Sequence, residues 1–237
     1  FNAEYPMVRW LERNGYDVSY ATGIDSDRSG GELLEHDVFL SIGHDEYWSW
    51  EMRDSIDAYV EAGGRIARFA GNFMWQTRLE DDGRRQICYK SRAQADDPLR
   101  DTDRITTSWE LAQIKRPGAM TFGLNAIRGV YSGWGGCVAF GSGGFPLYRP
   151  EHWAFAGTGL GYGDVLGAQS RVFAYEVDGL DYVVRDGLPY PSGREEVPEG
   201  LEILALGLAS NQEVARGVDP ATLFLGSEDC ELHAHIL

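Results

Sequence analysis

Between Asp37 and Ala70 the chain spells an apolar run, a capped amphipathic helix and a second strand-like run, and this order restricts the fold more than any other feature. Asp37 to Ile42 is almost continuously apolar, the texture of a strand buried on both faces. Ser49 stands as an N-cap with Glu51 in the first turn, and Met52, Ile56, Tyr59 and Val60 recur at helical spacing until Gly63-Gly64. Arg65 to Ala70 reads as the next strand. Upstream, residues 4 to 14 carry apolar groups at helical spacing and stop at Asn14-Gly15, and Tyr16 to Ala21 reads as a further short strand. Helix, strand, strand, helix, strand predicts an α/β fold with a three-layer parallel sheet. A crossover helix is fed by an earlier strand, so a chain opening on a helix reads as a fragment. Its start at Phe1 and its end at Leu237 inside an apolar run point the same way.

The texture changes after the third strand. Residues 81 to 104 are dense in charge and turn residues, a glycine-rich stretch spans 133 to 144, and the remainder alternates short strand-like runs with Gly and Pro turns. Residues 1–80 are therefore expected to form part of an α/β domain truncated at its N-terminus, and 81–237 its β-rich continuation, truncated at its C-terminus. The glycine-rich stretch lacks both a phosphate-loop Lys and GxGxxG spacing, so no nucleotide is assigned to it.

Composition excludes whole classes of partner. The 237 residues carry 21 basic and 37 acidic side chains, a net charge of −16, which repels phosphate backbones and anionic membrane surfaces. No nucleic acid and no membrane partner is expected, and no apolar run approaches the roughly 20 residues that span a bilayer. Three scattered cysteines, Cys88, Cys137 and Cys230, argue against a disulfide framework and fit a reducing cytoplasm.

The densest chemistry lies in Gly43-His44-Asp45-Glu46-Tyr47-Trp48, between the second strand and the Ser49 helix. In an open parallel sheet, ligands bind beyond the carboxyl ends of the strands, and the nearby helix N-terminus favours ionised carboxylates. Glu46 reads equally as a cation ligand or as a solvated, capping carboxylate. His44 reads as a polar group facing the site or as a satisfied structural histidine. Side chains in a turn diverge, so at least one of His44, Asp45 and Glu46 is expected to be structural. Asn72 follows the third strand as the His-Asp-Glu turn follows the second; its amide suits orienting a carbonyl or water, and equally a turn. Glu176 lies in a strand-like run and is a candidate base if its face lines the crevice. His233 and His235, two apart, read as a metal pair or as edge-strand residues. No Gly-x-Ser-x-Gly elbow occurs, and the cysteines read as inert thiols.

The segments Glu4-Tyr5-Pro6-Met7-Val8-Arg9-Trp10-Leu11-Glu12, Ser41-Ile42-Gly43-His44-Asp45-Glu46-Tyr47-Trp48-Ser49, Phe69-Ala70-Gly71-Asn72-Phe73-Met74 and Tyr175-Glu176-Val177-Asp178-Gly179 resemble the large, catalytic subunit of N,N-dimethylformamidase. The resemblance covers most of the chain, and its Gly-His-Asp-Glu-Tyr-Trp core is the specific part. It implies a glutamine-amidotransferase-like (flavodoxin-like) parallel sheet without the cysteine nucleophile. It also implies hydrolysis of a small N-substituted formamide to formate and an amine at a mononuclear iron held by two tyrosinates and a glutamate. By motif, Glu46 would be the iron's carboxylate ligand, His44 and Asn72 close polar groups, and Glu176 a general base. In the family the tyrosine ligands precede the Glu-Tyr-Pro helix, in a segment this sequence does not contain. Partners implied are a small amide substrate, a small subunit and a homo-oligomer. Tyr47, Trp48, Phe73 and Trp75 are expected to line the pocket, since a tertiary amide offers no N–H. A non-catalytic scaffold or small-molecule binding module, and a hydrolase of a different amide, are the competing readings.

Overall fold

Asn14-Gly15 ends helix α1 (Glu4–Arg13) as its sequence predicts: the Asn14 amide donates to the Trp10 carbonyl at 2.7 Å, and Gly15 takes the left-handed conformation (φ +73°) that glycine adopts without penalty. The structure, a computed structural model, describes residues 4–130, 138–140, 144–170, 172, 177–210 and 234–236. The chain divides into two compact units, Phe1–Pro117 and Gly118–Leu237.

In the first unit, helix α2 (Gly23–Arg28) is capped by Thr22, and strand β1 (Val38–His44) follows a short 3₁₀ turn. Strand β2 (Tyr47–Ser49) leads into helix α3 (Trp50–Glu61). The Ser49 hydroxyl accepts the Met52 amide at 3.0 Å, the N-cap the sequence announces, and the helix buries Met52, Arg53, Ile56 and Tyr59. Gly64 follows the helix, and a Cβ there would stand 2.3 Å from the Tyr59 ring, so no larger residue fits that close approach. Strand β3 (Arg65–Gly71) pairs in parallel with β1 from Val38↔Arg65 to His44↔Gly71. Strand β4 (Trp75–Glu80) pairs in parallel with β2, Tyr47 opposite Trp75, and in antiparallel with β5 (Arg85–Ile87) across the Asp81-Asp82-Gly83 turn. Residues 103–109 cling to β4: Gln76 donates its side-chain amide to the Asp103 and Ile105 carbonyls, and the Trp109 amide donates to the Met74 carbonyl at 2.9 Å. A one-turn helix α4 (Ala93–Asp96) lies in the charged stretch.

The second unit opens with helix α5 (Ala119–Phe122) and is otherwise built from short strands. Strand β6 (Asn125–Val130) pairs with β10 (Val177–Gly179), and β8 (Phe145–Pro146) with β9 (Val165–Leu166). Strand β7 (Val138–Phe140) flanks β13 (Leu206–Ser210), which also pairs with β14 (Ala234–Ile236). Strands β11 (Tyr182–Arg185) and β12 (Leu188–Pro191) form a hairpin whose two-residue turn, Asp186-Gly187, has positive φ at both positions, as a type I′ turn requires. All these ladders are antiparallel. Two apolar clusters fill the unit, one around Phe145, Leu147, Phe155 and Ala205 and one around Ala119, Leu180, Ile203 and Leu206. Among the strand-like runs of this half, the apolar Trp153–Phe155 forms a 3₁₀ turn, with Trp153 81% exposed; the His152 ring accepts the Ala154 amide and starts it.

The three-layer parallel sheet, glutamine-amidotransferase-like or flavodoxin-like, is not what forms. Among the described residues the sheets have two or three strands each, and parallel pairing is confined to β1·β3 and β2·β4. Two physical reasons account for the difference. Tyr16 to Ala21 makes no ladder and runs as irregular chain into the Thr22 cap, so the expected third partner of the parallel sheet is missing. The β1 run is also not buried on both faces: only Ser41 is buried, Val38 is 46% exposed, and Phe69 of β3, opposite Ile42, is 60% exposed. A continuous apolar run is thus compatible with a half-covered pair of strands. No helix among the described residues is long and apolar enough to cross a membrane.

Candidate active site

Two parallel pairs in sequence create the site. β1 ends at His44, turns through Asp45-Glu46 and resumes as β2; β3 ends at Gly71, turns through Asn72-Phe73-Met74 and resumes as β4. His44 lies opposite Gly71 in one ladder and Tyr47 opposite Trp75 in the next, so both turns leave the same end of the first pair. The Trp75 amide donates to the Glu46 carbonyl at 3.0 Å and ties one turn to the other.

The three ionisable residues of the first turn separate by function. Asp45 faces the fold: its carboxylate accepts the Ser41 hydroxyl, the Trp48 indole N–H at 2.9 Å and the Arg68 guanidinium at 3.3 Å. It is the structural member of the trio. Glu46 is held from both sides, with the Trp75 indole N–H donating to Oε1 and the His44 ring Nε2 lying 2.9 Å from Oε2. Its side chain is 11% exposed, whereas that of His44 is 50% exposed. Asn72 is buried, with φ +63°, and its Oδ1 has no hydrogen-bond partner among the described residues. A buried acceptor left open in this way is costly, and it marks a place for a donor from a ligand or water. Glu176 and His233 lie outside the described residues, and for His235 only its place in β14 is described.

One residue of the site escaped the sequence reading. Lys90 donates from Nζ to the Tyr47 hydroxyl, and its ammonium stands 4.8 Å from the Tyr47 ring centroid and 5.1 Å from that of Trp75. Burial works against the Lys90 ammonium, but the bond to Tyr47 and the charge of Glu46 outweigh it and hold the amine above its ordinary value. Burial raises the Tyr47 phenol; the Lys90 bond opposes that, and the Glu46 carboxylate adds to it. At neutral pH the pair is an ammonium and an intact phenol. Cys88 is close by and inert, because burial pushes its thiol up to about 11. Lys90 lies in the stretch 81–104, whose density of charge and turn residues singles out no one side chain. Rarity was the available signal: Lys90 and Lys115 are the only lysines among 21 basic residues.

The aromatic lining is smaller than expected. Trp48 packs edge-on against Phe39 and Phe73, and Phe73 stacks on Trp109 with the Arg53 and Arg68 guanidiniums near its ring, so both belong to the core. Tyr47 and Trp75 are the rings in contact with Glu46 and Lys90.

Glu46 suits a hard cation. An ionised carboxylate is acceptor-only with about four lone-pair sites, and ligating carboxylates are themselves held by hydrogen bonds, as Glu46 is by Trp75 and His44. Among the described residues no group of three or more His, Cys, Asp and Glu side chains is arranged to hold a metal, so Glu46 would be one ligand of a set completed elsewhere.

Comparison with known proteins agrees with the motif. The chain is 35% identical over 74 residues to the N,N-dimethylformamidase beta subunit of Paracoccus aminophilus, covering 31% of this chain and 10% of that protein. The N,N-dimethylformamidase beta subunit of Alcaligenes sp matches with the same identity and coverage. The aligned stretch thus spans about a tenth of the length of these relatives. Residues 1–228 match the family described as N,N-dimethylformamidase beta subunit-like, C-terminal, and the chain belongs to that family.

Proposed function

We propose that this chain contributes to an amidohydrolase site that cleaves the C–N bond of a small N-substituted formamide such as N,N-dimethylformamide, giving formate and an amine. The observation that carries the reading is the Glu46 carboxylate, nearly buried and clamped by Trp75 and His44 at the junction of the two turns. In this reading Glu46 is a ligand of a mononuclear iron, which when bound would polarise the amide carbonyl. His44 fixes the orientation of the carboxylate. The open Oδ1 of Asn72 accepts a hydrogen from the attacking water and orients it. The Lys90 ammonium and Tyr47 phenol supply protons where negative charge develops on oxygen or where the amine departs. A tertiary formamide brings no N–H, which suits walls made of the Tyr47 and Trp75 rings. Glu176 keeps its role as a candidate base from the motif alone, since it lies outside the described residues.

The relatives are named as beta subunits, which supports assembly with a further kind of subunit; a small partner and a homo-oligomer are what the resemblance implies, and the scarce cysteines support a cytoplasmic setting. A binding module without catalysis is favoured by one observation, the isolation of Glu46 as a hard ligand among the described residues. Metal analysis and amine release on the assembled protein separate the two. Iron bound by the parent, lost in Glu46→Ala together with dimethylamine release from N,N-dimethylformamide, supports the hydrolase. Equal iron in both removes Glu46 from the ligand set, and iron without amine release from any formamide leaves the binding module.

A further inference from the structure

The charged stretch after β5 conceals a fully buried carboxylate, Asp97. Arg78 of β4 donates to both of its oxygens, at 3.0 and 2.9 Å, and the Leu99 amide donates to Oδ1 at 2.9 Å. Thr106 donates to Oδ2 twice, from its amide at 2.7 Å and its hydroxyl at 2.8 Å. The same threonine then turns toward the site. Its hydroxyl accepts the Tyr89 amide at 3.1 Å, and its carbonyl accepts the Lys90 amide at 3.0 Å. Lys90 is left-handed, with φ +53°. A lysine in that conformation carries strain of about 1 kcal/mol and persists where its surroundings over-determine it. The surroundings here are the two Thr106 bonds, and the side chain they launch is the one that reaches Tyr47 and Trp75.

We infer that Asp97 is a positioning residue for the site: by fixing Thr106 it holds the strained Lys90 backbone that sets the ammonium between the Tyr47 and Trp75 rings. Asp97 and Thr106 act through Lys90, whose backbone amide the Thr106 carbonyl holds. The consequence for catalysis rests on the amidohydrolase reading; the consequence for the position of Lys90 does not.

The chain's two lysines make the test direct. In protein labelled with ¹³C-lysine, the ε-methylene signal of Lys90 is expected upfield of that of exposed Lys115, shifted by the two rings. Asp97→Asn, which points a donor at the donors of Arg78 and Thr106, and Thr106→Val, which keeps the shape and deletes the hydroxyl, should each move the Lys90 signal toward that of Lys115. Thr106→Ser, which restores both hydroxyl bonds, should keep it upfield. Amine release in the two disruptive variants should fall about tenfold or more in kcat, as small misplacements of reacting groups do. An unshifted Lys90 signal in folded Asp97→Asn and Thr106→Val overturns the inference, whatever their activity. Should Asp97→Asn fail to fold, Thr106→Val and Thr106→Ser decide alone. Signals that move as expected in a protein releasing no amine uphold the positioning and sink the amidohydrolase reading.

Discussion

Asp45 and Glu46 are adjacent carboxylates with opposite tasks, and substitution should separate them. Asp45→Ala removes a shared acceptor of the buried Ser41 hydroxyl and Trp48 indole, and one of the bonds of Arg68, which keeps the Gly71 carbonyl, at a cost of about 2 kcal/mol. Urea unfolding at neutral pH checks this, and the iron content of the folded protein should be unchanged; loss of metal at full stability would exchange the roles. Asp97 gives a second prediction at this scale. Burial pushes its carboxyl up, but Arg78 and the Leu99 and Thr106 donors overcome this and hold it at about 2, below the ordinary 3.8. A carboxyl depressed in the folded state contributes stability above its unfolded value, and that contribution fades as pH falls from about 4 through 2. The stability gap between the parent and Asp97→Ala should therefore shrink by about 2 kcal/mol between pH 5 and 2, measured by urea unfolding at each pH. A constant gap contradicts it. At this scale the sequence identified which residues to examine and left their directions open: whether 45 or 46 faces the fold depends on Ser41 and Arg68 meeting in the β1·β3 register, which no local pattern contains.

Helix α3 shows why elements were easier to read than their partners. Its cap, its stop and the Met52, Ile56 and Tyr59 part of its apolar face are local chemistry and appear where the sequence places them, whereas Val60, expected on that face, is exposed. Arg53 was not anticipated on the buried face. Its guanidinium lies 4.3 Å from the Trp109 ring centroid and 5.3 Å from that of Phe73, and donates to the Arg116 and Pro117 carbonyls at 2.6 and 3.0 Å. Trp50 extends the stack outward, with Arg104 and Arg116 over its ring. Burial, helped by Arg116, pulls the Arg53 guanidinium down to about 9, still above neutrality, so a cation sits in the core. Arg53→Met keeps the bulk and leaves two carbonyls without their donor. We expect a loss of about 3 kcal/mol in urea, with a change in indole fluorescence from Trp50 and Trp109. Unchanged stability would mean that the stack is ornamental. β2 was missed for a related reason: three residues, Tyr47-Trp48-Ser49, carry no periodicity, and they become a strand only because β4 lies alongside.

For the whole molecule, the expected three-layer parallel sheet fails because strand pairing is a long-range property, and the described short strands are satisfied by small ladders instead. Charge is long-range too, yet it is fully legible in the sequence and makes its own prediction. Acidic side chains exceed basic ones by 16. Many carboxylates are paired at contact distance, as Glu51 is with Arg104 at 2.6 Å and Asp82 with Arg28 at 2.7 Å. Such contacts lie well inside the Debye length of about 8 Å at 0.15 M salt, so salt weakens them little, whereas the excess acids repel across longer distances. Lowering ionic strength to about 0.01 M extends the Debye length to about 30 Å and restores those repulsions. Stability at pH 7 should therefore rise with NaCl from 0.01 to 0.15 M, by roughly 1 kcal/mol or about 2–4 °C in Tm. The same titration near pH 4.6, where the net charge vanishes, should lose most of the effect. A Tm that falls with salt at pH 7 would mean that the contact pairs, and not the excess of acids, dominate the electrostatics of this chain.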